Sequence, residues 1–448
     1  MKQFLNLHKI PLLLFLTACI FYGAFAYDLE RSDLVKLFSL YGALFFLSWK
    51  LFRLEKYNFR LLLGAAIVFR LIFLFAIPNL SQDFYRFIWD GKLLLQGINP
   101  YIFTPDELIA KPPIEGAQIL YAGMGELSAG NPTNYPPLNQ LFFALAALFG
   151  GNSILGAVVS LRLFLIAADV GIFYFGRKLL QKMNLPENRI FWYLLNPFII
   201  IELTGNLHFE GVMVLFLLAS LHFLSIKKWV LSSGFFACSV SVKLIPLLFL
   251  PLLFRFLKPK KALAYSTLTG FLVLLSFTPF LSEEFFRNYS ASVGLWFQKF
   301  EFNASIYYLV RWIGFQIEGY NIIQSAGPVL AVAVFLFVIF RSFDRENKNL
   351  YGLMTSMLFS ISIYLFLATT VHPWYLVTPL LISVFIGYRY VLVWNLLVIL
   401  SYSAYAHPDF QENFWFVALE YSVVFGVMGY EVFFRSKFAP LQEPEARA

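Results

Sequence analysis

The sequence predicts an all-α protein, a polytopic transmembrane helix bundle, and two observations lead to this fold class. Hydrophobic residues make up 59% of the 448 residues and charged residues only 13%, against about 25% charged in an ordinary soluble domain. The apolar residues are also grouped into runs that approach the length of a membrane-spanning helix, about 20 residues. Helices packed in a bilayer therefore explain the composition better than a water-soluble core does.

Apolar runs predict the individual helices in order along the chain. They are 9–27, 34–51, 61–77, 154–176, 190–203, 212–224, 263–281, 323–340, 351–368, 374–386, 390–405 and 414–434. Two other segments are ambiguous. Segment 138–149 is too short to cross a bilayer, and segment 229–256 is long for one helix and is interrupted by Pro246 and Pro251.

Clusters of lysine and arginine in short loops predict the orientation, because these residues concentrate on the cytoplasmic side of a membrane. All clusters lie inside if segment 138–149 enters the outer leaflet without crossing and segment 229–256 is a hairpin of two short helices with Lys243 near its outer tip. Both termini are then cytoplasmic, with about 12 to 14 crossings. We expect the inner (cytoplasmic) membrane as the location. Because the formal charge of +8 lies in these clusters, it indicates topology and no nucleic-acid partner.

The whole chain, 1–448, is predicted to be a single integral membrane domain. Its parts are N-terminal helices (9–79), a large outer first loop with interfacial helices (80–137), core helices with the hairpin near 229–256 (138–281), a second outer loop (282–320), C-terminal helices (321–434) and a cytoplasmic tail (435–448). Cys19 and Cys238 lie in apolar runs, so neither a disulfide nor a zinc framework is expected. We expect the first helix to remain uncleaved, although Ala24-Phe25-Ala26 is similar to a signal-peptidase site.

The first large outer loop begins with a polar segment that follows a predicted helix. At 100° per residue, Asp83, Arg86 and Asp90 share one helix face and apolar residues occupy the adjoining face. An amphipathic helix of this kind lies in the membrane interface. A carboxylate held there loses part of its hydration, which raises its pKa and lets it serve as a base toward a hydroxyl. The alternative is a solvated polar face without chemistry.

Lys243 lies between two apolar runs, where an ammonium group costs roughly 2.5 to 3.5 kcal/mol. It therefore needs a partner. A lipid phosphate at the outer leaflet is one candidate, and a structural ion pair with a helix carboxylate is the other. Arg162 and Asp169 are seven residues apart and share a helix face, so pairing with each other or with a neighbouring helix is the simpler interpretation for them.

Two short outer turns carry further candidates for substrate contact. His208 and Glu210 lie two residues apart, a weak metal pattern because no third ligand is fixed by the sequence, so we predict a substrate-contacting turn. In the second turn, His372 and Trp374 are suited to contact a phosphate and stack on a sugar ring. Interfacial anchoring by Trp374 and Tyr375 is the alternative.

Several segments in this order carry a family resemblance. They are 83–91, 97–101, 135–137, 195–197, 205–210, 242–246, 302–308 and 372–375. Together they resemble the GT-C superfamily of membrane glycosyltransferases, in particular bacterial polyprenol-phosphate-mannose-dependent mannosyltransferases. The resemblance covers most of the chain, and the fold that it implies is a GT-C-like helix bundle.

The resemblance implies an inverting transfer of a hexose, with mannose as the first candidate, from a polyprenyl-phosphate donor. The acceptor would be a lipid, glycan or protein on the outer face. Asp83 would be the base. A phosphate leaving group needs charge stabilisation more than a proton, and Lys243, Arg86 and His372 are the cations expected around it.

The remaining site residues follow from the same resemblance. Asp90, His208 and Glu210 would position sugar hydroxyls, and Trp374 and Tyr375 would complete the substrate-binding residues. Some relatives carry an Asp-x-Asp pair, whereas here Gln82 and Phe84 flank a lone aspartate. We therefore expect neither a metal nor another cofactor.

Two other classes of function remain open on the sequence. A lipid or solute transporter would concentrate its ionisable groups near the bilayer midplane, whereas here only Arg70, Arg162, Asp169 and Lys243 are predicted to lie deep. A structural subunit of an envelope assembly complex would use its outer loops for assembly and not for sugar transfer.

Overall fold

The computed structural model describes residues 2–298, 300–406 and 410–434, and their regular structure is helical. An isolated parallel β-bridge between Phe302 and Thr370 is the one extended pairing in these ranges. The predicted fold class, an all-α polytopic helix bundle, is confirmed. The predicted cytoplasmic tail, 435–448, lies outside the described residues.

Three helices form the N-terminal part: α1 Lys2–Tyr27, α2 Leu34–Glu55 and α3 Phe59–Ile72. Asp33 and Asn58 begin α2 and α3, because each side chain accepts a hydrogen bond from a backbone N–H of the first turn. α1 packs on both α2 and α3. The third helix ends at Ile72, five residues before the predicted end.

Five helices fold the predicted first outer loop, 80–137, and the short apolar segment 138–149 that follows it. They are α4 Asp83–Leu95, α5 Pro105–Leu108, α6 Ala117–Met124, α7 Glu126–Ala129 and α8 Pro137–Gly150. α4 is helical where the periodicity predicts it, but its polar face is not solvated, since Arg86 and Asp90 are both buried. Pro137 occupies the first turn of α8, where its missing N–H costs nothing.

The core part contains two long helices, which are its first and its last, and several shorter ones between them. They are α9 Ile154–Lys182, α10 Phe191–Leu194, α11 Pro197–Ile199, α12 Glu210–Ser225, α13 Trp229–Val242, α14 Leu253–Leu257 and α15 Pro259–Phe277. Three 3₁₀ segments, Glu187–Ile190, Ile245–Phe249 and Thr278–Phe280, and a π-helix, Ile200–Gly205, connect them. α12 packs against α9 and α13, and α13 packs against α15.

The predicted hairpin at 229–256 has only one regular arm. α13 ends at Val242, and Lys243 has extended backbone angles (φ −149°, ψ 145°). The second arm is a 3₁₀ turn followed by the five-residue α14. Pro246 and Pro251 lack the N–H that a continuous α-helix needs, which explains why this arm is irregular.

Seven helices form the C-terminal part. They are α16 Glu283–Gln298, α17 Ile306–Glu318, α18 Ile323–Ser342, α19 Leu350–Leu367, α20 Val377–Ile386, α21 Tyr390–Leu397 and α22 Phe414–Phe433. The 3₁₀ segments are Arg345–Lys348, Pro373–Leu376 and Val398–Tyr405. α19 and α20 are largely buried, whereas α18 and α22 expose large apolar side chains such as Phe335, Phe340 and Phe433. Such faces suit lipid contact.

Within the described residues, seven helices are long and apolar enough to cross a membrane. They are Lys9–Tyr27, Leu34–Glu55, Ile154–Lys182, Pro259–Phe280, Ile323–Ser342, Leu350–Leu367 and Phe414–Phe433. The pair Pro197–Gly205 and Glu210–Ser225, bent by 115°, raises the count to eight. The chain is therefore a multi-pass membrane protein. The higher count of 12 to 14 crossings also required shorter apolar helices to cross, and these have 10–17 residues each.

Buried arginines tie the early helices to the core. Arg70 on α3 forms an ion pair with Asp169 on α9 (Nε to Oδ2, 2.6 Å), and both are buried. Arg162 donates instead to the backbone carbonyls of Thr204 and Gly205 (2.7 and 3.1 Å). The pairing between helices that the sequence suggested for Asp169 is thus present. Arg162 fixes the end of the π-helix, next to the bend that carries His208.

Gly91 allows α4 and α8 to approach each other closely. A Cβ atom at this position would lie 2.2 Å from the carbonyl oxygen of Phe143. The rings of Phe87 and Phe143 stack across the same interface with centroids 4.4 Å apart. Because the obstacle is backbone, the helices must separate to admit any larger residue.

Substitution Gly91→Ala will destabilise the protein. Overpacking of this kind costs about 1–3 kcal/mol, because α4 must move away from α8. The thermal unfolding midpoint of the purified protein in detergent measures the effect. Gly42→Ala in α2 is the matched control, since nothing lies within 4 Å of the place that its added methyl group would take. Equal midpoints for the two variants would contradict the close approach.

Candidate active site

A cavity of about 530 Å³ lies where the start of α4, the segment before α8, the turn after α13 and the segment between α19 and α20 meet. Six of the predicted site residues line it: Asp83, Arg86, Lys243, His372, Trp374 and Tyr375. The fold thus brings together side chains that are as much as 292 positions apart in the chain (375 minus 83). Asp90, His208 and Glu210 do not line the cavity and lie behind its wall.

Asp83 is the first residue of α4, where the helix dipole favours a negative charge. About 35% of its side chain is exposed, toward the cavity. Burial of the carboxyl group by the surrounding protein raises its pKa to about 6. The charges of Lys243 and Arg31 act in the opposite direction and that of Glu210 adds to the rise. Asp83 is therefore a carboxylate at neutral pH, with a higher proton affinity than an exposed aspartate.

Lys243 forms an ion pair with Glu210, the first residue of α12. Glu210 is buried, and the ammonium group also lies 5.6 Å from the ring centroid of Tyr135 and 6.0 Å from that of Tyr375. Of the two partners considered for Lys243, the carboxylate is thus present. The side chain nevertheless still lines the cavity, so an anion in the cavity can share it.

His208, His372 and Trp374 form a stack of aromatic rings beside Asp83. The centroid of the His208 ring lies 3.6 Å from that of Trp374, and the His372 ring lies 4.5 Å from it and nearly parallel. Burial lowers the pKa of His372 to about 3 and that of His208 well below its usual value. Both imidazoles are therefore neutral at pH 7. The positive charge that we expected on His372 is absent for this reason.

The bend between the π-helix and α12 holds His208 close to two carboxyl groups. Its Nδ1 atom lies 4.0 Å from Oδ2 of Asp83, and its Nε2 atom lies 3.9 Å from Oε2 of Glu202. These separations exceed hydrogen-bond distance. Leu207, the preceding residue, is buried and has φ +65°, a left-handed conformation that costs energy in a non-glycine residue. The fold therefore accepts backbone strain in placing His208 here.

Arg86 and Asp90 form a buried network instead of an open binding surface. Nε of Arg86 donates to Oδ1 of Asp90 (2.7 Å), and Oδ2 of Asp90 accepts from the side-chain amide of Gln140 (3.0 Å). Arg86 also donates to the carbonyls of Ser128 and Asn131. Asp90 is fully buried and makes no contact with the cavity. The network holds the segment between α7 and α8 against α4, and this segment forms one wall of the cavity.

The opposite wall is fixed through the segment that contains Asn303. The bridge between Phe302 and Thr370 holds the chain next to His372, with Phe302 N donating to Thr369 O (3.1 Å). Asn303 has φ +46° and is buried. Its backbone N–H donates to Glu412 (2.6 Å), and its carbonyl accepts from the Tyr421 hydroxyl (2.7 Å). These contacts fix the segment beside His372, which lines the cavity.

The cavity residues that sequence reasoning missed include Arg31, Tyr135 and Tyr405. Arg31 lies in the short loop between α1 and α2, which the predicted topology assigns to the same side as Asp83. Its predicted location on that side could have identified Arg31 as a candidate site residue. Tyr135 was considered only as part of the family resemblance. For Tyr405, at the end of a predicted helix, the sequence offers no local signal.

Comparison with known proteins identifies related sequences. Residues 25–258 match the family model described as "Alpha-(1->6)-mannopyranosyltransferase, N-terminal domain". The chain is 20% identical over 333 residues to Alpha-(1->6)-mannopyranosyltransferase A of Mycobacterium tuberculosis, a match that covers 69% of this chain and 62% of that protein. It is 26% identical over 145 residues to Alpha-(1->6)-mannopyranosyltransferase B of Corynebacterium glutamicum, covering 32% and 23%. The matches thus span less than two thirds of either relative.

Substitution Arg86→Ala will loosen the wall between α7 and α8. It leaves Asp90 as an unpaired buried charge, which costs about 3–5 kcal/mol, and frees the carbonyls of Ser128 and Asn131. Hydrogen exchange measured by mass spectrometry should rise over residues 126–134. Lys36→Ala, which removes an ion pair with the exposed Asp28, is the control and should leave this exchange unchanged. Protection that is equal in the two variants would show that Arg86 does not hold the segment.

Proposed function

The chain belongs to the family described as "Alpha-(1->6)-mannopyranosyltransferase, N-terminal domain", and we propose on this basis that it is a hexosyltransferase. The donor is a polyprenyl-phosphate sugar, with mannose as the first candidate for the hexose, and the acceptor is a lipid, glycan or protein. The single observation that supports this chemistry best is that one cavity contains both the Asp83 carboxylate and the Lys243 ammonium group.

The proposed reaction is an inverting single displacement. The Asp83 carboxylate accepts the proton of the acceptor hydroxyl, whose oxygen forms a bond to the anomeric carbon. The bond from that carbon to the phosphate oxygen breaks, and its electron pair stays on the phosphate. A pKa of about 6 suits Asp83 to this role, because a general base works best when its pKa is near the operating pH.

The leaving lipid phosphate gains one negative charge in this step, so the cavity must supply positive charge and not a proton. Lys243 lies beside the rings of Tyr135 and Tyr375, where low polarity strengthens its attraction to a phosphate. Because the imidazoles of His208 and His372 are neutral, the positive charge that attracts the phosphate comes from lysine and arginine side chains. The reaction as written needs no metal and no other cofactor.

The aromatic stack has a supporting role in this proposal. The indole of Trp374 is engaged by the imidazoles of His208 and His372, so it fixes the wall of the cavity beside Asp83. Tyr375 remains at the cavity surface for contact with the sugar. Asp90 forms an ion pair with Arg86, and Glu210 forms one with Lys243. The two carboxylates therefore position these cations and do not contact the substrate directly.

The location of the reaction follows from the lipid donor. We assign the cavity to the outer face of the inner (cytoplasmic) membrane, with both termini cytoplasmic. Basic clusters in the short loops support this orientation. A polyprenyl-phosphate donor keeps its phosphate at the membrane surface, and the cavity then needs to be open at that level.

Substitution Asp83→Asn will abolish sugar transfer, because the amide cannot accept the hydroxyl proton. We expect a loss of at least about 100-fold, the smaller end of what general-base catalysis contributes, with donor binding and protein abundance close to wild type. Transfer from radiolabelled polyprenyl-phosphate mannose to acceptors in isolated membranes measures the effect. Asp106→Asn, an exposed aspartate of the same outer segment, is the control. Normal turnover in Asp83→Asn would remove Asp83 as the base.

The reaction rate will rise with pH up to about pH 7 and then level off. Only the ionised form of Asp83 accepts a proton, and its pKa of about 6 means that the carboxyl group is mostly protonated at lower pH. Below that value kcat/KM should fall about tenfold per pH unit, since this quantity reports the free enzyme. His372, with a pKa of about 3, is neutral throughout and contributes no acid limb. A profile that is flat from about pH 5 to about pH 8 would contradict this assignment.

A further inference from the structure

Arg31 brings a cationic side chain to the candidate active site from the loop between α1 and α2. It lines the same cavity as Asp83 and Lys243. Its guanidinium carbon lies 3.1 Å from the ring centroid of Tyr405 and 5.9 Å from that of Tyr402. A planar guanidinium on an aromatic face is held in one orientation while its N–H groups remain directed outward.

The backbone that carries Arg31 is fixed from both sides. The side-chain amide of Asn79 donates to the carbonyls of Phe25 (2.7 Å) and Leu29 (3.1 Å), and Leu29 is buried. On the other side, Asp33 accepts a hydrogen bond from the first turn of α2. The loop therefore presents Arg31 in a preformed position, and an anion that binds there meets little ordering cost.

The charges of the cavity differ in how they are balanced. Lys243 is paired with Glu210, and Arg86 with Asp90. Among residues 2–298, 300–406 and 410–434, no carboxylate lies within ion-pair distance of Arg31. Its Nε atom is buried and has no hydrogen-bond acceptor in those ranges. Of the three cations that line the cavity, Arg31 is thus the one whose charge no carboxylate in the described residues balances.

We propose that Arg31 binds the phosphate of the polyprenyl-phosphate donor and stabilises the lipid phosphate as it leaves. The inference rests on the proposed function and adds a phosphate-binding residue to it. When the bond between the anomeric carbon and the phosphate oxygen breaks, the electron pair adds one negative charge to the phosphate. A guanidinium fork contacts two phosphate oxygens at once, which a lysine cannot do.

Arg31 also acts on the base through its charge. The charged and titratable groups that face Asp83 are Lys243, Glu210, Arg31 and His208, together with the tyrosines Tyr135, Tyr375 and Tyr405. The positive charge of Arg31 lowers the pKa of Asp83, against the larger effect of burial. Removing that charge should therefore raise the pKa of Asp83 and move the acid limb of the rate profile to higher pH.

Binding of a short-chain polyprenyl phosphate to the purified full-length protein tests the assignment. Arg31→Gln should weaken this binding about tenfold or more, the effect of losing a hydrogen bond to a charged group. Arg31→Lys should weaken it less. Binding of the matching polyprenol, which lacks the phosphate, should be the same in wild type and Arg31→Gln.

The matched control is Arg53→Gln, because Arg53 also lies on an aromatic ring, that of Trp49, but near the other end of α2 and exposed. It should bind polyprenyl phosphate as wild type does. The acid limb should shift in Arg31→Gln and stay in place in Arg31→Lys, a distinction that a merely structural role would not produce.

Two failures are distinguishable in this experiment. If the wild-type chain binds polyprenyl phosphate no better than polyprenol, the lipid-phosphate donor of the proposed function is wrong. If wild type discriminates between them and Arg31→Gln discriminates equally well, only the assignment of Arg31 is overturned. Equal loss of phosphate and polyprenol binding in Arg31→Gln also overturns it, since the variant has then lost the site as a whole.

Discussion

The pairing of buried charges is the constraint on which the rest of this structure depends. A charge inside an apolar bundle is tolerated only when an opposite charge or several hydrogen bonds accompany it. Arg70 with Asp169 ties α3 to α9, and Lys243 with Glu210 ties the end of α13 to the start of α12. The first pair joins positions 99 residues apart, and the second joins two consecutive helices across 33 residues. The second pair also fixes Lys243 at the wall of the cavity.

Local sequence patterns predict much of the fold. Apolar runs predict the long helices such as Ile154–Lys182 and Ile323–Ser342 to within several residues. The reason is that a membrane-spanning helix lies in lipid, so its residues are apolar along its whole length. The 3.6-residue period also predicts α4 and the shared face of Asp83, Arg86 and Asp90. These features depend only on residues that are close together in the sequence, so they can be predicted from it.

Features that depend on distant partners could not be predicted in the same way. The face of α4 was expected to meet solvent or lipid, but Gln140 and the carbonyls of Ser128 and Asn131 cover it. Nothing near Glu210 in the sequence identifies Lys243 as its partner. His372 was assigned a charge from its residue type, whereas its burial in the folded chain keeps it neutral. Residue identity suggested the candidates, and only three-dimensional packing separates those at the cavity from those behind it.

The cavity takes its residues from Arg31 near the beginning of the chain to Tyr405 near its end. During synthesis the α1–α2 loop and Asp83 leave the ribosome long before the aromatic stack of Trp374 and the ring under Arg31. A nascent chain that has inserted only its first half therefore holds a carboxylate and two cations without the walls that enclose them. The enclosed cavity would consequently form late in biogenesis, only after the segment between α19 and α20 and Tyr405 have been synthesised.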